Sequence, residues 1–169
     1  AVLIAVFGPV SGAHFNLAVT LVFALRREIG GRAALAYAAV QLLGAMLGVW
    51  SAHLMFALPV LEISTKLRDG PAQALSEAVA TFGLVVTILG GVRFRPAAVP
   101  FLVGLYIASA YWFTASTSFA NPAVTVARSL SETFAGIALA SVPLFIVAQI
   151  AGALAGSAVF AWMAECDSS

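Results

Sequence analysis

Charge is what this sequence has least of. Only 9% of its 169 residues are Asp, Glu, Lys or Arg, against 62% hydrophobic, where a soluble domain carries about a quarter charged residues. So little charge cannot clothe a water-exposed surface, which makes lipid the main solvent and the bilayer the first partner. A net charge of +1 lacks the basic footprint of a nucleic-acid-binding protein, so no nucleic acid is expected as a partner. One cysteine, Cys166, excludes an internal disulfide. Two histidines, His14 and His53, are the only imidazoles, and neither a metal site nor a cofactor is expected. No basic leader precedes the apolar opening, so no signal peptide is read there.

What the chain has instead is long apolar runs. Residues 33–58 carry no formal charge, 72–92 carry Glu77 alone, and 96–114 and 134–164 carry none. Each is long enough for a membrane span, which needs roughly 20 helical residues. Residues 1–10 are apolar but reach only about half-way across. Two more runs, 16–25 and 121–130, are apolar and too short to cross.

Those two short runs share a start, Asn16-Leu17-Ala18-Val19-Thr20 against Asn121-Pro122-Ala123-Val124-Thr125. Related text follows each: Gln41-Leu42-Leu43-Gly44-Ala45 lies 25 positions after Asn16, and Gln149-Ile150-Ala151-Gly152-Ala153 lies 28 after Asn121. The chain therefore reads as one domain over 1–169 built from an internal repeat, with an incomplete first half at 1–58 and a second half at 72–164. Each unit is expected to run helix, helix, re-entrant half-helix, helix, and three spans invert the second unit relative to the first. By that pattern the first helix and part of the second are expected to be absent from the chain. Arg26, Arg27, Arg32, Arg93 and Arg95 fall on one side of the spans, with Lys66, Arg68 and Arg128 on the other. The positive-inside rule then places Arg26, Arg27, Arg93 and Arg95 in the cytoplasm.

Backbone that leaves helical form inside a membrane must be buried in protein or line water, so the two short segments read as a cavity lining. Their first N–H groups lack intrahelical partners and carry the positive end of the helix dipole. Asn is a strong capping residue at such a start. If Asn16 and Asn121 cap their own helices, their amide N–H groups are free to donate to the oxygen of a passing solute. Two positive helix ends and two donors at one point favour neutral, oxygen-bearing solutes over cations, hopping protons included.

Ser11-Gly12-Ala13-His14-Phe15-Asn16-Leu17-Ala18-Val19-Thr20 and Asn121-Pro122-Ala123-Val124-Thr125 resemble the two Asn-Pro-Ala signatures of the aquaporin, or major intrinsic protein, family. Glu77-x-x-x-Thr81-Phe82 is similar to its fourth-helix motif, and the two Gln-x-x-Gly-Ala motifs to its third and sixth helices. The resemblance implies an all-α membrane protein: a right-handed helical barrel with two re-entrant half-helices, usually a homotetramer in the cell (inner) membrane. It implies a channel for passive permeation of small uncharged solutes, not an enzyme. It further implies pore motifs at Asn16, Leu17, Ala18, Asn121, Pro122 and Ala123, and a carbonyl ladder from Gly12, Ala13, His14, Thr117, Phe119 and Ala120. Glu77 would hold a loop, with Gln41 and Gln149 as interhelical hydrogen-bonders. An outer selectivity filter falls on Tyr111 (Ser109 if counted back from Asn121), Ser118 and Val124, and its second-helix position would precede residue 1.

Two departures from the family pattern matter. Leu17 stands where the first motif has Pro, and Leu is itself a good helix former there. Val124 stands where water channels carry Arg, so the filter is expected to be wider and more apolar, with strict water selectivity lost. Arg128, one helical turn further on, is expected to substitute only if the helix rotates. The stretch 111–121 followed by Val124 resembles a bacterial branch associated with arsenic resistance, which adds arsenous acid to water and glycerol-like polyols as permeants.

Plainer readings stand beside these. Gly44-x-x-x-Gly48 and Gly152-x-x-x-Gly156 read as close-packing faces, His53 as an interfacial or packing residue, Pro143 as a kink, and Trp50, Trp112 and Trp162 as interfacial anchors. A secondary transporter also uses inverted repeats and broken helices, though Glu77 would be its only intramembrane carboxylate. An intramembrane hydrolase would use Ser11 as nucleophile with His14 or His53 as base. A non-conducting fragment is the third alternative.

Overall fold

The computed structural model describes residues 1–166, and every regular element among them is helical. The helices are α1 (Val2–Ser11), α2 (Leu17–Leu25), α3 (Gly31–Met55), α4 (Pro71–Phe94), α5 (Val99–Phe113), α6 (Pro122–Arg128) and α7 (Val142–Cys166). Short 3-10 turns at Pro96–Ala98 and Leu139–Ser141 lead into α5 and α7. Four stretches are long and apolar enough to cross a membrane: Gly31–Met55, Pro71–Phe94, Pro96–Phe113 and Leu139–Cys166. The nine residues of α2 and seven of α6 rise only about 10–14 Å, so they enter a bilayer without crossing it.

Two expectations need correcting. Residues 134–138 precede the last span as loop rather than helix, because their backbone is committed elsewhere: Gly136 N–H bonds Thr133 O, and Ala138 N–H bonds Lys66 O at 2.7 Å. Pro143 does not kink its helix. It occupies the first turn of α7, where its missing N–H would have had no intrahelical partner.

Lipid gives apolar helices little reason to leave it for one another, so close packing must hold the bundle together. The seam between α4 and α7 shows how. A Cβ added at Gly152 would lie 2.2 Å from Ala78 O, and one at Gly156 2.7 Å from Phe82 O. Glycine there lets one backbone rest on the other. On the opposite side of α4, Gly83 lies under the Tyr106 ring of α5, whose hydroxyl bonds Ala80 O at 3.0 Å. The half-helix α2 lies against this pair: Ala18 and Val22 pack with Val85, Leu89, Ala153 and Phe160, while Val19 packs with Ala80, Leu84 and Ala120. At the other end Phe119, Ile137 and Phe145 form a smaller buried cluster around the loop into α6. Gly44 and Gly48 of α3 meet nothing within 4 Å among the described residues. Among the described residues no helix covers the packing face expected there, and α3 packs chiefly against α2 and α6.

Candidate functional site: the seam between two helix starts

α2 and α6 begin head to head. Asn16 has extended backbone (φ −155°), and its Oδ1 accepts from Ala18 N at 2.9 Å and Val19 N at 3.5 Å. Asn121 repeats this at φ −157°, accepting from Ala123 N at 3.0 Å. Each side chain thus satisfies an orphan donor of the helix it heads. Each amide nitrogen then reaches across the seam: Asn16 Nδ2 donates to Ala120 O at 2.7 Å, and Asn121 Nδ2 to Phe15 O at 2.8 Å. A further bond crosses from Leu17 N to Asn121 Oδ1, at 3.4 Å.

This reciprocity alters two expectations. The amide groups are not wholly free, since each Nδ2 carries two hydrogens and gives one of them to the opposite loop. The Ala120 carbonyl likewise gives one lone pair to Asn16 and keeps the other. The carbonyls of Gly12, Ala13, His14, Thr117 and Phe119 accept no hydrogen bond among the described residues.

Both loops are strained. Ala13 and Phe15 before one helix, and Thr117, Ser118 and Ala120 before the other, have φ between 45° and 63°. Left-handed backbone costs a non-glycine residue about 1–3 kcal/mol, so each loop needs an external hold. For the second loop that hold is Glu77. Fully buried on α4, it accepts from Phe119 N at 2.9 Å, Ala120 N at 2.8 Å and Gln149 Nε2 at 2.6 Å. Gln149 also donates to Thr125 Oγ1 at 2.8 Å, and Thr125 Oγ1 to Asn121 O at 2.9 Å. In the first half Gln41 donates to Thr20 Oγ1 at 2.8 Å, and Thr20 Oγ1 to Asn16 O at 3.1 Å. His14 Nδ1 lies 3.1 Å from the same Thr20 hydroxyl.

On the side of the seam toward which α6 runs, a residue the sequence marks only as a positive charge becomes central. Arg68, in the α3–α4 connection, is 8% exposed and gives Nε to Gly136 O, Nη1 to Ser116 O and Nη2 to Phe134 O. Burial lowers this guanidinium below its ordinary value, and Glu77 and Tyr111 partly offset the effect. Its carbon lies 5.0 Å from the Phe119 ring centroid, and that of Arg128 lies 4.2 Å from it. Arg128 needs no helix rotation to reach back toward the loop. It is four residues after Val124, hence on the same face, and helical side chains lean toward the helix start. That directional rule is the signal in the sequence that could have found it. Of the expected filter residues, Tyr111 is partly exposed, Val124 is partly buried, and Ser118 is buried with its hydroxyl unpartnered among the described residues. Ser109 is exposed on α5 and bonds Leu105 O at 2.9 Å.

The other polar groups have structural work. His53 is buried, its Nε2 2.9 Å from Ser131 Oγ and its Nδ1 3.2 Å from Val60 O, tying the end of α3 to the loop after α6. Glu132 accepts from the amide and hydroxyl of Thr65, bonds that hold its carboxyl below the usual range. Ser11 Oγ donates to Phe7 O at 3.3 Å, and neither histidine bonds it, so no nucleophile–base pair forms there among the described residues. No cluster able to hold a metal ion occurs among them either. Two cavities flank the first loop. One of about 340 Å³ touches Ser11, His14, Tyr37 and Gln41, and one of about 230 Å³ lies between His14, Phe23, Ile88 and Val103.

Comparisons with known proteins place the chain in a family. The family described as "Major intrinsic protein" matches residues 1–97. Aquaglyceroporin AqpS of Rhizobium meliloti (strain 1021) is 56% identical over 164 residues, covering 97% of this chain and 70% of that protein. Aquaporin NIP1-1 of Oryza sativa subsp. japonica is 35% identical over 160 residues, and Nodulin-26 of Glycine max 31% over 163. The chain spans 56% and 60% of the length of those two plant proteins. With four apolar spans, two facing half-helices and a relative this similar along 97% of the present sequence, the chain belongs to the major intrinsic protein family, the family of the aquaporins.

Proposed function

We propose that this protein is a passive channel for small uncharged solutes, with the seam between Asn16 and Asn121 as its central constriction. One observation carries the reading: two capped helix starts meet and exchange amide-to-carbonyl bonds across a gap in the chain of more than a hundred residues. Both dipoles then present their positive ends at one place, and each Asn keeps one amide hydrogen for a ligand. A neutral solute gains donors there, whereas a cation loses water and meets repulsion. Gly12, Ala13, His14, Thr117 and Phe119 would offer the solute acceptors on either side.

Beyond the seam, Tyr111, Ser118 and Val124 would form the outer filter. Val124 brings no charge to it. This supports polyols such as glycerol over strict water selectivity, in keeping with the aquaglyceroporin name of the similar Rhizobium protein. Arsenous acid, an uncharged trihydroxide, has the same chemistry and is a proposed further permeant. We infer a homotetramer in the cell membrane with Arg26, Arg27, Arg93 and Arg95 on the cytoplasmic side.

Stopped-flow light scattering of proteoliposomes under water, glycerol and arsenous acid gradients tests this. Protein-containing vesicles are expected to take up glycerol at least about tenfold faster than empty ones, with Asn121→Asp abolishing the gain, because a carboxylate replaces the last amide donor with charge. Undiminished uptake by a well-folded Asn121→Asp protein would falsify the seam as the constriction.

A further inference from the structure

The outer filter has lost a charge at Val124, yet two guanidiniums stack on the ring of Phe119, the residue after Ser118. Their situations differ. Arg68 has all three guanidinium nitrogens bonded to loop carbonyls, so its charge is fixed into the wall. Arg128 makes no ion pair among the described residues, and what positions it is the face of Phe119 at 4.2 Å. Phe119 is 4% exposed and braced edge-on by Phe145, with ring centroids 5.3 Å apart. A buried ring of this kind holds a guanidinium through its quadrupole without consuming N–H donors. The titratable groups in electrostatic reach of Arg128 are Arg68, Tyr111 and Glu77, of which Tyr111 is itself an expected filter residue. Arg128 also borders a cavity of about 470 Å³ with His53, Ser131, Thr133 and Phe134. Its guanidinium gives no hydrogen bond to protein among the described residues, which leaves its donors to a solute.

We propose that Arg128, reaching back along α6 over the Val124 position and held by Phe119, supplies the fixed positive charge of the outer constriction, excluding cations and donating to solute oxygens. This rests on the channel reading given above. One turn of α6 separates the charge from the helix position that lacks it, so the constriction keeps its cation barrier while gaining the width that Val124 leaves. Arg68 reinforces the barrier from the wall.

The test is the ratio of sodium leak to glycerol flux in proteoliposomes of the reconstituted protein. Arg128→Gln is expected to raise that ratio about tenfold or more, since a charge acting in a poorly hydrated passage is weakly screened. Arg128→Lys should keep it within about threefold of wild type, because charge is retained while the stacked plane is lost. Arg27→Gln, an equal charge loss on the exposed opposite side, is the control. A ratio in Arg128→Gln equal to that control, with glycerol flux present, overturns the role of Arg128 and leaves the channel reading standing. If Arg128→Gln carries no glycerol, the double variant Val124→Arg/Arg128→Gln decides. Restored flux at the wild-type ratio supports the proposal, and no restoration overturns it. Wild-type vesicles without glycerol flux would overturn the channel reading itself.

Discussion

Asn16 and Asn121 head helices of nine and seven residues, each with a Thr four positions on that bonds back to the Asn carbonyl, and each Thr takes a bond from a Gln on the following span. To that point the two halves are copies. They part at the next link. Gln149 passes its second amide hydrogen to Glu77, and Glu77 gathers two amides of the strained loop before Asn121. Gln41 has no carboxylate partner among the described residues, while the Oε1 atoms of Gln41 and Gln149 are alike buried without a bond. The loop before Asn16 is tied instead by the Tyr37 hydroxyl to Ser11 O and by packing of the His14 ring on Phe23 and Tyr37. Packing follows the same division. Within their most apolar stretches α4 and α7 are 44% and 39% buried, and α3 not at all. A shared local plan thus fixes the helix starts, and among the described residues a buried carboxylate braces only the second loop.

The comparison breaks hardest at Glu77. Glu77→Gln keeps the shape but presents one oxygen and one NH₂ to two backbone donors, so Phe119 N–H or Ala120 N–H loses its acceptor. A loss of about 3–5 kcal/mol is expected from an uncompensated buried donor in a charge-assisted set, read as a lower midpoint in detergent-induced unfolding. A wild-type midpoint would mean the second loop is held no more firmly than the first. Next come the glycines. Gly152→Ala drives a methyl against the Ala78 carbonyl, backbone that cannot step aside, and should cost about 2–3 kcal/mol or more. Gly44→Ala meets open space and should be neutral, or stabilising by up to about 1 kcal/mol through helix propensity. Thermal unfolding of the two variants side by side is the measurement. A penalty at Gly44 matching that at Gly152 would show the α3 face to be covered in the working protein and would erase the difference between the halves.

How much of this is legible in the sequence follows from how local each feature is. The spans, the half-helices and the Asn caps depend on neighbouring residues: an apolar run of a given length, and Asn at a helix start. Helix ends shift by a few residues, and the last span loses 134–138 because Lys66, distant in sequence, claims the Ala138 amide. Pro143 reads as a kink until the start of α7 is known, after which it is an ordinary first-turn proline. The hydrogen bonds across the seam, which use half of each Asn amide and one lone pair of the Ala120 carbonyl, are not legible at all. They depend on the two loops being brought together. Arg68 is hidden for the same reason, since its three carbonyl partners come from two separate loops. Arg128 is different: its face and its lean toward Val124 follow from helix geometry, and only the Phe119 ring that holds it needs the fold.

The smallest expected effect concerns Leu17, where the two motifs differ in text. Leu17→Pro removes one N–H, whose only partner is Asn121 Oδ1 at 3.4 Å, a long bond whose loss costs about 0.5–1 kcal/mol. Against that, Pro at the first position of a helix gives up a donor with no intrahelical partner, and it narrows the unfolded ensemble by about 0.4–1 kcal/mol. The residue before a proline must be extended. Asn16 already is, with φ −155° and ψ 124°, nearly the values of Asn121 before Pro122, φ −157° and ψ 113°. The backbone therefore accepts proline without rearrangement, and Leu17→Pro should move the unfolding midpoint by no more than about 1 kcal/mol and leave glycerol flux close to wild type. A larger loss would mean that the Leu17 bond is a working part of the seam.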